Sequence, residues 1–195
     1  MIQKHLDNYN LILASGSPRR QQFFKELGLD FEIRLKSIEE IYPNHLEHHE
    51  ISDFLSLLKA EPFTHELLSN DILITSDTIV WHHKKALGKP KDDKEAFEML
   101  SSMSNTTHDV ITSITLTTIT SQKTVNAVTK VTFKALTKSE IEYYIKTFKP
   151  FDKAGAYGIQ EWIGQIGITR IEGSYTNVVG LPTHLIYKTL NSMVL

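Results

Sequence analysis

One stretch limits the fold of this chain more than any other: residues 71–80, with the sequence DILITSDTIV. Its aliphatic and β-branched residues are typical of a buried strand. After Asp71 at its start, this run has one further carboxylate, Asp77, towards its end, and burying a carboxylate is costly unless it has a partner or a task. We therefore predict a strand whose Asp77 either activates water or binds a metal, or caps a turn.

The beginning of the chain has the pattern of a strand, a turn, a helix and a second strand. Residues 10–14 (NLILA) form a short apolar run, and Ser17 followed by Pro18 is typical of a helix N-cap and first helical position. Gly28 is expected to end that helix, and residues 31–35 alternate like a strand. In open α/β sheets ligands bind at the carboxyl ends of the strands, where this turn would lie.

Further elements follow from hydrophobic periodicity and capping residues. The predicted elements are a helix over 51–59, a small hairpin over 81–86, a helix from Asp92 or Asp93 to about 103, strands over 108–120 and 123–133, a helix from Thr137 or Ser139 to about 148, a loop and one strand within 158–171, and a helix over 183–190. This alternation predicts an α/β protein.

Composition excludes several classes of protein. The 21 basic and 23 acidic residues give a net charge of -2, which disfavours general nucleic-acid binding but allows a small anionic ligand. The chain has no cysteine, so disulfides and thiolate chemistry are excluded. Neither the apolar core of a signal peptide nor an apolar run of about 20 residues is present, so we expect a cytoplasmic protein without a membrane partner.

Two arginines, Arg19 and Arg20, fall in the first turn of the first predicted helix. Backbone N–H groups at a helix start and two guanidinium groups are suited to binding phosphate. The alternative is an ordinary charged helix surface.

Other polar groups also have two interpretations. Lys89 in GKP lacks the remaining residues of a P-loop, so it is either a single phosphate contact or a solvated lysine. The pair Glu39 and Glu40 is suited to Mg²⁺ but is also typical of an exposed acidic loop. The histidines of residues 45–49 (HLEHH) have a spacing that suggests zinc, without a third partner that would support it.

The last third of the chain is rich in glycine, notably in residues 151–160 (FDKAGAYGIQ) and 171–182 (IEGSYTNVVGLP). Glycines allow backbone to approach a ligand closely. Gln160 offers both a donor and an acceptor, which suits recognition of a nucleobase edge. A structured turn region is the alternative.

Together these segments resemble the Maf family of nucleoside triphosphate pyrophosphatases, and the resemblance covers nearly the whole chain. The motifs that carry it, in family order and spacing, are LASGSPRR at 13–20, IEE at 38–40, SDTIV at 76–80, GKP at 88–90, HDVITSITL at 108–116, DKAGAYGIQ at 152–160 and IEGSYTNVVGLP at 171–182.

The resemblance implies a Maf/ITPase-like fold: an elongated, two-lobed α/β domain over residues 1–195, with a central mixed sheet flanked by helices around one active-site cleft. It also implies hydrolysis of the α–β phosphoanhydride bond of a nucleoside triphosphate, a Mg²⁺ or Mn²⁺ cofactor and a homodimer. The segment DKAGAYGIQ resembles the subgroup that acts on dTTP and UTP. The alternatives are a pyrophosphatase for other or modified purine nucleotides and a non-enzymatic regulator of cell division.

Family roles carry over residue by residue. Asp77 matches the proposed proton acceptor, Glu40 an active-site carboxylate and Gln160 a glutamine of the active cleft, and these three are the expected catalytic residues. Glu40 and Asp77 are also the expected metal ligands. The expected substrate-binding residues are Ser15, Arg19, Arg20, Lys59 and Lys89.

The chain departs from the family pattern at three places. Ser76 stands where the family usually has alanine, and only Lys59 and Ala60 remain of a basic helical segment. Glu161 and Trp162 follow Gln160 where glycine is usual. An added carboxylate and indole at that position are expected to alter nucleotide preference.

Overall fold

The computed structural model describes residues 3–194, and within them seven strands form one mixed sheet in the order β2-β1-β3-β5-β6-β7, with β4 paired to β3. The strands are β1 Asn10–Leu13, β2 Glu32–Ile33, β3 Asp71–His82, β4 Lys85–Leu87, β5 Thr107–Thr117, β6 Gln122–Phe133 and β7 Ile168–Glu172. β1 pairs in parallel with β2 and β3, whereas the β3–β4 and β6–β7 pairs are antiparallel. The predicted α/β class with a mixed sheet is confirmed.

Eight α-helices accompany the sheet within the described residues. They are α1 Gln3–Leu6, α2 Pro18–Glu26, α3 His49–Leu58, α4 Asp93–Met103, α5 Lys138–Phe148, α6 Trp162–Gly167, α7 Tyr175–Val179 and α8 Thr183–Val194. Residues 3–194 contain no helix with the length and apolar character needed to cross a bilayer.

The predicted helix starts are confirmed by their caps. Ser17 accepts a hydrogen bond from the Arg20 backbone N–H, and Asp92 accepts one from Glu95. Thr137 forms a reciprocal capping box at the start of α5. Local side-chain chemistry therefore sets these boundaries.

The chain divides into two compact units. Unit 1 contains residues 1–77, 112–127 and 180–195, and unit 2 contains residues 78–111 and 128–179. The interpretation of residues 1–195 as one domain stays a prediction.

Two apolar clusters of unit 1 lie on opposite faces of β3. Ile72 and Ile74 pack with residues of α2 and α8, whereas Leu73 packs with Phe63 and Leu67 beyond α3. Because successive strand side chains point to opposite faces, the helices of this unit cover both faces of its part of the sheet.

Unit 2 has one apolar cluster, built mainly from α4 and α5 and the ends of the strands. Its largest fully buried side chains are Phe133, Tyr144, Leu100 and Met103. The glycine-rich segment adds Tyr157 and Ile159 to the same cluster, so this segment is part of the core.

Two predicted strands differ from the observed ones, and the short helices α1, α6 and α7 were not predicted. β3 continues to His82, so Asp77 lies inside the strand, because residues 80–82 pair with β4. β2 covers only Glu32–Ile33 of the predicted 31–35. α6 was not predicted; its Ile163 and Gly167 are buried against the core of unit 2 rather than repeated along an apolar face.

The turn between β5 and β6 shows how a hairpin forms without glycine or asparagine. The Thr118 hydroxyl oxygen accepts hydrogen bonds from the backbone N–H groups of Thr120 and Ser121 at 3.3 and 3.0 Å. A side chain therefore replaces part of the usual turn chemistry.

Candidate active site

A lysine joins two predicted carboxylates in unit 1. The Lys59 Nζ lies 2.6 Å from the Asp77 Oδ1 and 3.1 Å from the Glu40 Oε1. The Asp77 side chain is 8% exposed and that of Lys59 17%, whereas Glu40 is 48% exposed. The buried Asp77 carboxylate thus has a charged partner, which offsets its cost of desolvation.

Lys59 follows directly after α3, so the docking of this helix positions the ammonium group. The Thr75 hydroxyl donates to the Ser56 carbonyl at 2.7 Å, and the Ser56 hydroxyl lies 2.8 Å from that of Thr115. Ser52 and Ser113 form a similar pair at 2.7 Å. This hydroxyl seam fixes the register of α3 on β3, which carries Asp77, and on β5, because hydrogen bonds constrain direction as well as distance.

Arg20 binds the same region through backbone carbonyls. Its Nη1 donates to the Ser76 carbonyl at 2.8 Å, and its Nε donates to the Gly180 carbonyl at 2.9 Å. Burial lowers the pKa of Arg20, while the negative charges of Asp77 and Glu40 oppose that shift. Arg20 is half-buried; it therefore anchors the backbone beside Asp77 and adds a second cation to the cluster.

The Ser-Gly-Ser-Pro turn places two more predicted residues. Ser15 is buried, and its hydroxyl oxygen accepts from the Ser17 backbone N–H at 3.3 Å and from the Arg20 Nη1 at 3.4 Å. Arg19 is half-buried, and its charge contributes to lowering the pKa of Arg20. Ser15, Arg20, Glu40, Lys59 and Asp77 therefore form one connected cluster.

Glu40 and Asp77 fit a divalent cation of the kind that prefers oxygen ligands. Both carboxylates approach one positive group within 3.1 Å, so they converge on a common point. Nowhere in residues 3–194 do three His, Cys, Asp or Glu side chains form a group that could hold a metal ion. A donor set of two carboxylates suits Mg²⁺ or Mn²⁺ completed by phosphate oxygens and water.

The other two predicted site residues, Lys89 and Gln160, belong to unit 2, and both are exposed. Their segments meet within that unit, where the Gly155 backbone N–H donates to the Gly88 carbonyl at 3.0 Å. Gly155 has a φ of +69°, and a Cβ there would lie 2.8 Å from the Val80 side chain. The close approach of these two segments therefore requires glycine at this position.

Sequence reasoning assigned no role to a second buried lysine, Lys153 of unit 2. Its Nζ lies 2.6 Å from the Asp152 Oδ1 and 3.1 Å from the Glu161 Oε1. Adjacent Asp152 and Lys153 in a glycine-rich segment were the available signal. The Gly180 carbonyl that anchors Arg20 had no such signal, because it is a backbone group far along the chain.

Two buried histidines of unit 2, His82 and His108, contact other residues of that unit. The His82 Nε2 lies 2.8 Å from the Ser102 carbonyl oxygen, and the His108 Nε2 lies 2.7 Å from the Tyr157 hydroxyl. Burial, and secondarily the charge of His82, lowers the pKa of His108 to about 3. These imidazoles join elements of unit 2.

A solved structure with the same general fold is the Ham1 protein of Staphylococcus aureus. It aligns with a TM-score of 0.54 over 94% of this chain and 99% of that chain, at 15% sequence identity. This likeness concerns the fold alone.

Sequence comparisons give a closer relationship. A dTTP/UTP pyrophosphatase of Flavobacterium johnsoniae is 60% identical over 194 residues, covering 100% of both chains. The dTTP/UTP pyrophosphatase of Christiangramia forsetii is 57% identical, covering 100% of this chain and 99% of the relative. The model of Maf-like proteins matches residues 10–193. With its motifs, its fold and these matches in agreement, the chain belongs to the Maf family.

Proposed function

We propose that this protein is a nucleoside triphosphate pyrophosphatase that hydrolyses dTTP and UTP to the monophosphate and pyrophosphate. The observation that carries the proposal is the buried Asp77 carboxylate held by Lys59, with Arg20 as a second cation beside it. The full-length relatives named dTTP/UTP pyrophosphatase support the choice of substrate.

In the proposed reaction, water adds to the α-phosphorus while the bond from that phosphorus to the bridging oxygen of the β-phosphate breaks. Asp77 accepts the proton of the attacking water, and the electron pair of the broken bond leaves with pyrophosphate. Phosphoryl transfer depends mainly on positioning and charge stabilisation. Asp77 is suited to this task because the hydroxyl seam and Arg20 fix the strand and helix around it.

The substrate brings about four negative charges, which basic side chains must offset. Lys59 and Arg20 supply two positive charges next to Asp77, and Arg19 a third within electrostatic reach of Arg20. Glu40 and Asp77 would hold the Mg²⁺ or Mn²⁺, which when bound offsets phosphate charge and acidifies water. We propose Lys89 as a further phosphate contact and Ser15 as part of the phosphate-binding turn.

Gln160 is proposed to recognise the base. Uracil and thymine present a carbonyl acceptor beside an N–H donor, and a primary amide is complementary to both. The exposed position of Gln160 on a segment anchored in the core of unit 2 supports this role.

A nucleotide panel tests the proposed function. Pyrophosphate release would be measured for dTTP, UTP, dCTP, dATP and dGTP, each with Mg²⁺ and with Mn²⁺. We expect the highest kcat/KM for dTTP and UTP. Equal or higher values for a purine nucleotide would contradict the assigned substrate class, and no release from any nucleotide would contradict the enzyme itself.

Two further properties are proposals that the family suggests: a homodimer and a cytoplasmic location. Light scattering at micromolar concentration tests the dimer, since a mass of about twice the 22.3 kDa chain is expected. Fractionation of the native host's cells tests the location.

A further inference from the structure

Lys153 is a buried cation that the proposed reaction does not use. The residue is 9% exposed, and its ammonium group contacts the carboxylates of Asp152 and Glu161. Burying an ammonium group is costly unless it is paired, and removing one partner of such a pair is strongly unfavourable. The pair therefore constrains where the backbone on either side can lie.

The second oxygen of Glu161 extends this contact into a network. The Tyr144 hydroxyl donates to the Glu161 Oε2, and the Gly158 backbone N–H donates to the Tyr144 hydroxyl oxygen at 3.0 Å. Burial, reinforced by the negative charge of Glu161, raises the pKa of Tyr144, so the hydroxyl keeps its proton. Glu161 thus joins Lys153 to Tyr144, and Tyr144 binds the backbone at Gly158. We call the side chains of Lys153, Glu161 and Tyr144 the loop clamp.

The backbone inside the loop clamp has little freedom to move. A Cβ at Gly158 would lie 2.9 Å from the Glu161 carboxyl carbon, and one at Gly164 would lie 1.9 Å from the Ile159 carbonyl oxygen. Ile159 itself is buried in the core of unit 2. The segment is therefore fixed by packing as well as by hydrogen bonds.

Gln160 lies between these fixed points, next to both Ile159 and Glu161. An amide that recognises uracil or thymine matches cytosine equally well after a half-turn of its terminal group, because cytosine presents the reversed donor and acceptor. Discrimination between these bases therefore depends on where the Gln160 amide is placed against the base, and the position of the Gln160 backbone sets that placement.

We propose that the loop clamp of Lys153, Glu161 and Tyr144 holds Gln160 in position and thereby sets the preference for thymine and uracil over cytosine. This inference rests on the proposed function. It gives a role to Glu161, the carboxylate that stands where glycine is usual in the family.

Two variants of the full-length chain test the inference. Glu161→Gln keeps the size of the side chain and removes its charge, and Tyr144→Phe keeps the ring that stacks on Phe148 and removes the hydroxyl. For both we expect the ratio of kcat/KM for dTTP to that for dCTP to fall about 10-fold, mainly through KM for dTTP, while kcat for dTTP stays within about threefold.

The matched control is Lys138→Met, which breaks the exposed Lys138–Glu142 pair at 3.6 Å on α5 of the same unit. Its nucleotide ratio is expected to equal that of the wild type. Thermal unfolding of every variant would show that the comparison is made between folded proteins. If Glu161→Gln does not fold, the nucleotide ratio can still be measured in Tyr144→Phe, because that substitution preserves the packing of the ring.

The outcomes separate this inference from the proposed function. An active wild type with an unchanged nucleotide ratio in the folded variants overturns the loop clamp alone. An equal loss of kcat for both nucleotides also overturns it, because that result indicates general damage. A wild type that releases no pyrophosphate from dTTP contradicts the proposed function, and the loop clamp with it.

Discussion

Two lysines in this molecule have nearly the same immediate partners. Lys59 of unit 1 lies 2.6 and 3.1 Å from the oxygens of Asp77 and Glu40, and Lys153 of unit 2 lies 2.6 and 3.1 Å from those of Asp152 and Glu161. Each ammonium group is mostly buried. Distances alone would assign the two clusters the same role.

The surroundings differ. Arg20 interacts with both Asp77 and Glu40, so two cations balance two anions around Lys59, and the group that is most buried there is the Asp77 carboxylate. The partners of Lys153 come from one continuous loop, and Glu161 is bound in addition by a tyrosine. We therefore interpret the cluster around Lys59, on which two further charged side chains converge, as the candidate reactive site, and the cluster around Lys153 as a positioning network.

The largest expected effect is on kcat, and it follows from changing the carboxylate of the Lys59 cluster, Asp77. Asp77→Asn is expected to lower kcat by about 1,000-fold, because the amide cannot accept the proton of water. Circular dichroism should remain that of the wild type. Asp30→Asn, at an exposed carboxylate of unit 1, is the control and should retain full activity. A fully active Asp77→Asn variant would sink the assignment of Asp77.

The next effect compares the two lysines directly. Lys59→Met is expected to lower kcat for dTTP by about 100-fold, since one buried positive charge is lost beside the reacting phosphate. Lys153→Met should instead change the nucleotide ratio with kcat nearly unchanged. Similar loss of kcat in both variants would remove the distinction drawn between the clusters.

The Lys59→Met variant also tests metal binding. Lys59→Met leaves Glu40 and Asp77 without the lysine that offsets their charge, so Mn²⁺ is expected to bind at least about 10-fold more tightly. Electron paramagnetic resonance of free Mn²⁺, without nucleotide, measures this. Lys36→Met breaks an exposed pair with Glu66 in the same unit and should leave the Mn²⁺ affinity unchanged. Unchanged affinity in Lys59→Met would show that the two carboxylates are not the metal ligands.

A smaller effect tests the anchoring role of Arg20. Arg20→Lys is expected to destabilise the protein by about 1–3 kcal/mol, because an ammonium group cannot reproduce the geometry with which the guanidinium binds the Ser76 and Gly180 carbonyls. Urea unfolding measures the change. The control is Arg170→Lys, in a pair whose arginine side chain is 68% exposed, and its stability should be nearly that of the wild type.

The smallest effect concerns pH and unit 2. The pKa of His108 is about 3 in the folded protein, below the usual 6.5, so the unfolded chain takes up a proton first as pH falls. His108 therefore costs no stability above pH 6.5 and costs progressively more between pH 6.5 and 3. At pH 5.5 the loss is about 1.4 kcal/mol.

His108→Gln removes this titration, so its stability should fall less than that of the wild type between pH 7.5 and 5.5 in urea unfolding. His184→Gln, at an exposed histidine, should keep the wild-type dependence on pH. If all three proteins had equal pH dependence, the acid sensitivity of unit 2 would have to come from groups other than His108.

The parts of the fold that could be predicted depend on local chemistry. Ser17, Asp92 and Thr137 cap helices with their own side chains, so their positions in the sequence suffice. α6 was missed because it is short and is stabilised by burial of Ile163 and Gly167 in the core. β3 was predicted two residues too short because pairing with β4 extends it from Val80 to His82.

The candidate site likewise has a part that could be predicted from the sequence and a part that could not. The resemblance marked Lys59, Asp77 and Glu40, yet only the folded chain shows that one ammonium group joins both carboxylates. Arg20 was predicted to bind phosphate, and its contacts with two carbonyls could not be inferred, because backbone groups carry no signal in the sequence. The phosphate role of Arg20 stays a prediction.

The bond between Arg20 and the Gly180 carbonyl joins residues that are 160 positions apart. A chain is synthesised from its N-terminus, so Asp77, Lys59 and Glu40 leave the ribosome long before residue 180. Until then Arg20 lacks one of the two backbone anchors that hold it beside Ser76. The anchoring of Arg20 is thereby coupled to the synthesis of residue 180, and a chain truncated before Gly180 lacks this anchor although it contains Glu40, Lys59 and Asp77.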